Sequence, residues 1–431
     1  MPSKGLPGFR DFYPADTALL HHIFAAWRTV SARYGFEEYD GPPLEPLELY
    51  TAKSGEEIVD QIYHFEDKGG RAVALRPEMT PSLARMVAAK ASDFKKPIRW
   101  FSIPHLFRYE RQQRGRLREH FQLNMDVIGE PGPLADAEVI AAAIDIMREL
   151  GLGHDAVRVR VSDRQVIRAL LLAAGVDEGL LGAAYTAIDK IEREDRGKSA
   201  DRLTAAGMNK AAVDRVFEIG ALRGLENTLA ALSEVRGGDE VGENLAACHS
   251  ALASMGLGDF LDVDLSIVRG LAYYTGIVYE LFDAGRSLRA ICGGGRYDGL
   301  LAALGGVDLP ATGFGMGDVV ITELLRDRAL APSPPQRLDA FLVGVTTSDV
   351  PEILRIGHAL RDRGVRVEYA LKAQAVAKQL KIAAARRSTT AIIIGPDERK
   401  AGEAVLRNLE TGNEERISFD RLVSDYNWTA F

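Results

Sequence analysis

The chain has 431 residues, too many for one ordinary hydrophobic core, so two or three domains are expected. Hydrophobic residues at 46% and charged residues at 26% are ordinary globular values, and no run approaches the roughly 18–20 uninterrupted apolar residues of a membrane helix. A net charge of -8 argues against indiscriminate nucleic-acid coating, and two cysteines (Cys248, Cys292) against a disulfide framework or cysteine-rich zinc site; with no hydrophobic signal core at Met1–Gly5, a reducing cytoplasm fits.

In chain order, Ala18–Arg33 carries Leu19, Ile23, Ala26, Trp27 and Val30 on one helical face, and Gly41-Pro42-Pro43 breaks that pattern. Arg71–Leu75 alternates as a strand and Pro81–Ala91 reads as a helix. Ile98–Ile103 and His120–Ile128 are expected as antiparallel strands joined by the arginine-rich loop Glu110–Glu119. Lys95–Arg118 holds eight basic residues and one acid, either a solvated face or a grip for an anion. Leu134–Leu150 is an alanine-rich helix ended by Gly151, and Val157–Val161 a strand. From Arg164 to Gly258 apolar residues recur only at helical spacing, as in an inserted helical subdomain. Strands are expected again at Val263–Ile267, Ile277–Phe282 and Leu288–Ile291, then glycine-rich turns and a helix over Asp318–Arg328. Ala331-Pro332-Ser333-Pro334-Pro335-Gln336 reads as a stiff linker. Beyond it, strand (Ala340–Val345), helix (Val350–Arg363), strand (Val365–Ala370), helix (Gln374–Ala385) and strand (Thr390–Ile394) predict a small α/β domain with a largely parallel sheet. The expected domains are residues 1–328, with an insertion at 164–258, a linker at 329–337 and a second domain at 338–431.

Four stretches carry candidate chemistry. In Arg76-Pro77-Glu78-Met79-Thr80, extended geometry puts Glu78 and Thr80 on one face, suited to a ligand ammonium; a capped helix start before Pro81 explains them equally well. Arg108, beside Phe107 on an apolar strand, needs an anionic partner, while Gln122, Asn124 and Asp126 share one strand face. In Arg269-Gly270-Leu271-Ala272-Tyr273-Tyr274-Thr275-Gly276, the Arg-Gly pair suggests close approach to something anionic. Gly293-Gly294-Gly295-Arg296-Tyr297-Asp298-Gly299 and Gly313-Phe314-Gly315-Met316-Gly317 are either plain turns or places where a nucleotide lies flat on a strand. No HExxH, CxxC or Walker sequence occurs.

These motifs, in this order and from Gly8-Phe9-Arg10-Asp11-Phe12-Tyr13-Pro14 onward, closely resemble the histidyl-tRNA synthetases, class II aminoacyl-tRNA ligases. The resemblance implies an α+β catalytic domain on a mainly antiparallel sheet, the helical insertion, a C-terminal α/β anticodon-binding domain and a homodimer formed through a motif that includes Pro42. It implies that Glu78, Thr80 and Gln122 hold the amino group of L-histidine, that Asp126 and Tyr274 bond the imidazole, and that Tyr273 lines the pocket. Arg108 would bridge the histidine carboxylate and the α-phosphate of ATP, with Arg269 opposite it. Glu110 and Arg116 would contact the nucleotide beside Gly313 and Gly315, and Mg2+ would come with ATP. For tRNA(His), the candidates are Gln112, Gln113, Arg114 and Arg118 of the loop, with the C-terminal basic cluster Lys372, Lys378, Lys381, Arg386 and Arg387 suited to RNA phosphates. Three positions depart from the family's pattern: Val320 replaces an arginine over the adenine and γ-phosphate, Ala272 an acidic residue, and Asp126 a glutamate. The competing resemblance is to the histidine-sensing regulatory subunit of ATP phosphoribosyltransferase, which generally lacks the C-terminal domain. A stress-sensing synthetase-like module would need kinase segments that 431 residues do not hold.

Overall fold

The structure is a computed structural model that describes residues 5–54, 56–109, 115, 117–269, 273–285, 288–332 and 338–426, with backbone only at 52–54 and 56–58. The chain forms two compact units, Met1–Pro332 and Ser333–Phe431. No helix among the described residues is long and apolar enough to cross a membrane.

The strands of the first unit are β1 (Glu37–Glu38), β2 (Leu44–Pro46), β3 (His64–Glu66), β4 (Ala72–Leu75), β5 (Ile98–Ser102), β6 (His105–Phe107), β7 (Glu119–Ile128), β8 (Val157–Asp163), β9 (Leu261–Val263), β10 (Ile277–Asp283), β11 (Cys292–Arg296) and β12 (Ala311–Gly317). The large sheet runs β1-β5-β7-β12-β11-β10-β8-β9, with β6 also on β7, and β2-β4-β3 form a small sheet. Only the outer pairs β1–β5 and β8–β9 are parallel. The sheet is thus mainly antiparallel, as expected. β5 and β7 pair in the anticipated antiparallel way, with β6 added between them in sequence.

One sheet face is buried by two helices. Trp27, Ile23 and Val30 of Pro14–Arg33 pack with Ile140 and Ile144 of Pro133–Glu149 against Leu123, Met125 and Val127 of β7. The first of these helices starts four residues earlier than its apolar face suggests, because Pro14 presets the backbone of a first turn and gives up no needed N–H. Six α-helices between Arg164 and Ser254 form the insertion. Asp163, Asp195 and Asn209 start three of them by accepting the free N–H of Gln165, Lys198 and Ala212.

Three sequence expectations are corrected. The strand foreseen at Val263–Ile267 ends at Val263, because the Asp264 carboxylate accepts from both the backbone N–H (2.9 Å) and the hydroxyl (2.6 Å) of Ser266 and turns the chain. The strand foreseen at Leu288–Ile291 lies later, at Cys292–Arg296. The glycine runs expected as turns are themselves the central strands β11 and β12.

In the second unit, β13 (Ala340–Gly344) pairs in parallel with β14 (Val367–Tyr369) and β15 (Thr390–Ile394), while β16 (Glu403–Asn408) and β17 (Glu414–Ser418) extend the sheet antiparallel. The strand–helix–strand alternation predicted the parallel half and not the hairpin that follows it.

Candidate active site

The period of two along β7 separates core from chemistry. Leu123, Met125 and Val127 enter the core, whereas Gln122, Asn124 and Asp126 face a cavity of 370 Å³. On the neighbouring strands the same face carries glycine. A Cβ on Gly313, the register partner of Asp126, would lie 2.1 Å from Asp126 Oδ1, one on Gly315 2.8 Å from Gln122 Cδ, and one on Gly293 2.2 Å from an Arg269 nitrogen. The glycines therefore clear a floor for the polar side chains and for whatever lies on them. A second cavity of 860 Å³ adjoins the first and shares Arg108, Gln122, Arg269, Gly293 and Gly315 with it.

Two guanidiniums meet at that junction. Arg108 follows β6 and donates from Nε to the Pro77 carbonyl at 2.9 Å. Burial pulls its pKa below the ordinary arginine value, opposed by Glu78 and Tyr273 and reinforced by the like charge of Arg269. Arg269 has φ +54, a left-handed conformation that costs a non-glycine residue about 1 kcal/mol or more. Arg164 steadies it, donating to the Val268 (3.0 Å) and Arg269 (3.2 Å) carbonyls. Burial opposes the charge of Arg269, but Tyr274 and Glu280 outweigh it and raise its pKa; Glu280 pairs with it at 2.5 Å. Two guanidiniums on the wall shared by both cavities offer hydrogen-bond donors suited to an anion.

The end of the cavity at Glu78 is built by the turn after β4. Arg76, 4% exposed, donates to Asp40 (2.6 Å), the Gly41 carbonyl (2.7 Å) and the His105 carbonyl (3.1 Å), which fixes Pro77 and Glu78 against Arg108. The extended geometry expected through Thr80 is not what the chain adopts. Thr80 is the first residue of the helix Thr80–Ala89, and it reaches the cavity beside Glu78 from that turn.

At the deep end, Asp126 is 5% exposed and accepts a hydrogen bond from the Tyr297 hydroxyl. Burial raises its pKa to about 7, and the Tyr297 bond works against that rise. Tyr273 and Tyr274 lie with ring centres 4.7 Å apart, and Tyr273 meets Tyr297 edge-on at 6.2 Å. A buried carboxylate ringed by phenols suits a small polar ring with N–H groups.

The structure thus gathers Glu78, Thr80, Arg108, Gln122, Asp126, Arg269, Tyr273, Tyr274, Gly313 and Gly315 around one cavity. Glu110, Gln112, Gln113, Arg114, Arg116 and Ala272 lie outside the described residues; Arg118 lies at the loop's base with its guanidinium 4.4 Å from the Tyr109 ring centre. Sequence reasoning overlooked Tyr297 and Glu280. Their signal was present: Tyr297 continues the alternation of Gly293 and Gly295, and Glu280 is the lone acid in the otherwise apolar Ile277–Phe282. No group of three or more His, Cys, Asp or Glu able to hold a metal occurs among the described residues.

The family model described as histidyl-tRNA synthetase matches residues 8–318, and that of an anticodon binding domain residues 339–425. The histidine–tRNA ligase of Opitutus terrae is 45% identical over 418 residues, 95% of each chain. The chloroplastic/mitochondrial histidine–tRNA ligase of Arabidopsis thaliana is 39% identical over 416 residues, 96% of this chain and 85% of the plant one. The crystal structure of histidyl-tRNA synthetase from Nostoc sp. PCC 7120 shares the fold, with a TM-score of 0.83 over 98% of both chains at 24% identity.

Proposed function

The chain belongs to the histidyl-tRNA synthetase family, and from that premise we propose how its residues divide the reaction. The activity is that of a histidine–tRNA ligase: L-histidine and ATP give histidyl-adenylate, and the histidyl group passes to the 3′ end of tRNA(His). Histidine occupies the 370 Å³ cavity, its amino group on Glu78, Thr80 and Gln122, its imidazole between Asp126 and Tyr274, with Tyr273 as wall. ATP lies in the 860 Å³ cavity over Gly315, whereas Gly313, assigned to the nucleotide from the sequence, lines the histidine cavity beside Asp126; Glu110 and Arg116 would be further contacts. Magnesium would enter on the triphosphate, whose oxygens are its preferred ligands.

A histidine carboxylate oxygen attacks the α-phosphorus, the bond to the bridging oxygen breaks, and pyrophosphate leaves. Negative charge grows on the five-coordinate phosphorus between Arg108 and Arg269, whose fixed guanidiniums stabilise it without reorganising. The terminal ribose hydroxyl of the tRNA then attacks the activated carbonyl, loses its proton and releases AMP. A carboxylate and a phenol committed to two ring nitrogens leave unpaired buried groups with other amino acids, which supports discrimination without editing. Gln112, Gln113, Arg114 and Arg118 are assigned to contacts with the acceptor end, and the C-terminal unit to reading the anticodon. Domain limits at 328 and 338, homodimerisation through the segment around Pro42, and a cytoplasmic location complete the proposal.

The single observation that carries this reading is the convergence of Arg108 and Arg269 on the junction of the two cavities. The regulatory-subunit alternative is disfavoured by the ligase relatives and the anticodon-binding match at 339–425. The test is histidine-dependent exchange of labelled pyrophosphate into ATP. Robust exchange is expected in the wild type and a loss of about 10³-fold in Arg269→Ala. Tight histidine binding without exchange in the wild type would instead establish the regulatory role.

A further inference from the structure

The larger cavity has two ends of different chemistry. Arg108, Arg269 and Gln122 mark the end shared with the histidine cavity. Along β7, His120 lies one pleat repeat, about 7 Å, beyond Gln122. Gly317 stands at the same distance beyond Gly315 on β12, and Val320 is one helical turn further. Ahead of β11 the chain runs back from Gly293 through Ala290 to Arg289, four residues that span at most about 13 Å. The far end is therefore lined by Leu117, His120, Leu288, Arg289, Val319 and Val320.

The side chains on this stretch are mostly apolar, with the cation Arg289 among them. Burial, helped by the charge of Arg108, lowers the His120 pKa to about 3, so its imidazole is a neutral ring at physiological pH. Val320 is 6% exposed and offers only methyl groups. The methylenes of Arg289 and a methyl of Val320 approach the same point, 3.8 and 3.4 Å from where a Cβ on Gly115 would stand. Arg289 itself is exposed on the connection between β10 and β11. Arg160 and Arg193 line the same cavity, Arg160 with Glu192 (3.0 Å) and Asp264 (3.3 Å) as partners, and Arg289 is the one whose methylenes pack beside Val320.

Resting on the reading of this cavity as the ATP site, we propose that Arg289 is the residue that holds the nucleobase, its guanidinium laid over the adenine seated against His120 and Val320. The arginine that position 320 lacks is thereby supplied from a different strand connection. A planar guanidinium covers an aromatic face well, and its charge need not be neutralised by a phosphate to do so.

The experiment measures pyrophosphate exchange with Arg289→Ala and Arg289→Gln at varied ATP, varied histidine, and with inorganic tripolyphosphate as competitor. Both variants are expected to raise the KM for ATP about tenfold, while kcat and the KM for histidine stay within about twofold. Inhibition by tripolyphosphate, which has no base, is expected to be unchanged. An unaltered KM for ATP in both variants overturns the proposal, as does tripolyphosphate inhibition that weakens in step with ATP. A merely structural role would lower the melting temperature without this split. Failure of the wild type to exchange would sink the activity itself, whereas an active wild type with unaffected variants sinks only the role of Arg289.

Discussion

Replacing Tyr297 by Phe and Asp126 by Asn tests how the imidazole is read. Asp126 accepts an imidazole N–H far more strongly when ionised, yet burial lifts its pKa to about 7. Because kcat/KM reports the free enzyme and free substrate, kcat/KM for histidine should fall below about pH 7, with the substrate's own ring adding a limb near ~6.5. Tyr297 donates to the charged form and lowers the Asp126 pKa, so Tyr297→Phe should move the enzyme limb upward. A hydrogen bond of about 1 kcal/mol corresponds to somewhat under one pH unit. Asp126→Asn should delete that limb and, by losing a charge-assisted bond of about 1.5–3 kcal/mol, lower kcat/KM by roughly 10- to 150-fold. Free histidine titrates identically in every assay, so movement of the limb identifies the enzyme group. The stability sign agrees. A folded pKa above the unfolded 3.8 gives a contribution present below about pH 4 and lost as pH rises through about 7. Histidine, by bonding the ionised carboxylate, should therefore raise the melting temperature more at pH 8 than at pH 6. An acid limb that stays in place in both variants would refute the assignment of Asp126.

Gly313→Ala should be damaging, because its Cβ would fall 2.6 Å from the Met125 carbonyl as well as against Asp126. A loss of about 1–3 kcal/mol in denaturant unfolding and a raised KM for histidine are expected, whereas Gly317→Ala, with nothing within 4 Å, should unfold as the wild type does. Arg76→Ala should cost about 2 kcal/mol, since it removes several bonds from a buried guanidinium while its partner Asp40 is solvated. It should also raise the KM for histidine, read in the exchange assay, by loosening the turn that carries Glu78. A histidine KM unchanged in Arg76→Ala would remove Arg76 from the positioning of Glu78.

How much of this was legible depended on whether a residue's role is local or tertiary. β7 announced itself because Gln122, Asn124 and Asp126 alternate with Leu123, Met125 and Val127, a period that only a half-buried strand satisfies. The insertion was equally plain, since its helices carry their own caps and apolar faces. The glycine strands were not, because glycine has poor strand propensity and reads locally as a turn. What makes Gly293-Gly294-Gly295 a strand is its pairing with β10 and β12, and what requires glycine at 293 is the approach of Arg269 from another segment, which leaves no room for a Cβ. Tyr297 was hidden for the same reason, as its partner Asp126 stands 171 residues earlier.

Departures from the family pattern at single positions are offset by other groups that the fold brings to the same cavity. An arginine missing at 320 was visible in the sequence, but its effect depends on which other cations reach the cavity, and that is a property of the fold. The shorter Asp126 is likewise read only with Tyr297, whose hydroxyl donates to one carboxylate oxygen, so that the proposed ring N–H would meet the other. In both cases the residue type at one position matters less than the set of groups that converge there. A floor of glycines makes that convergence possible, since it lets side chains from β7, the turn after β4 and the segment at Arg269 occupy space that strand side chains would otherwise fill.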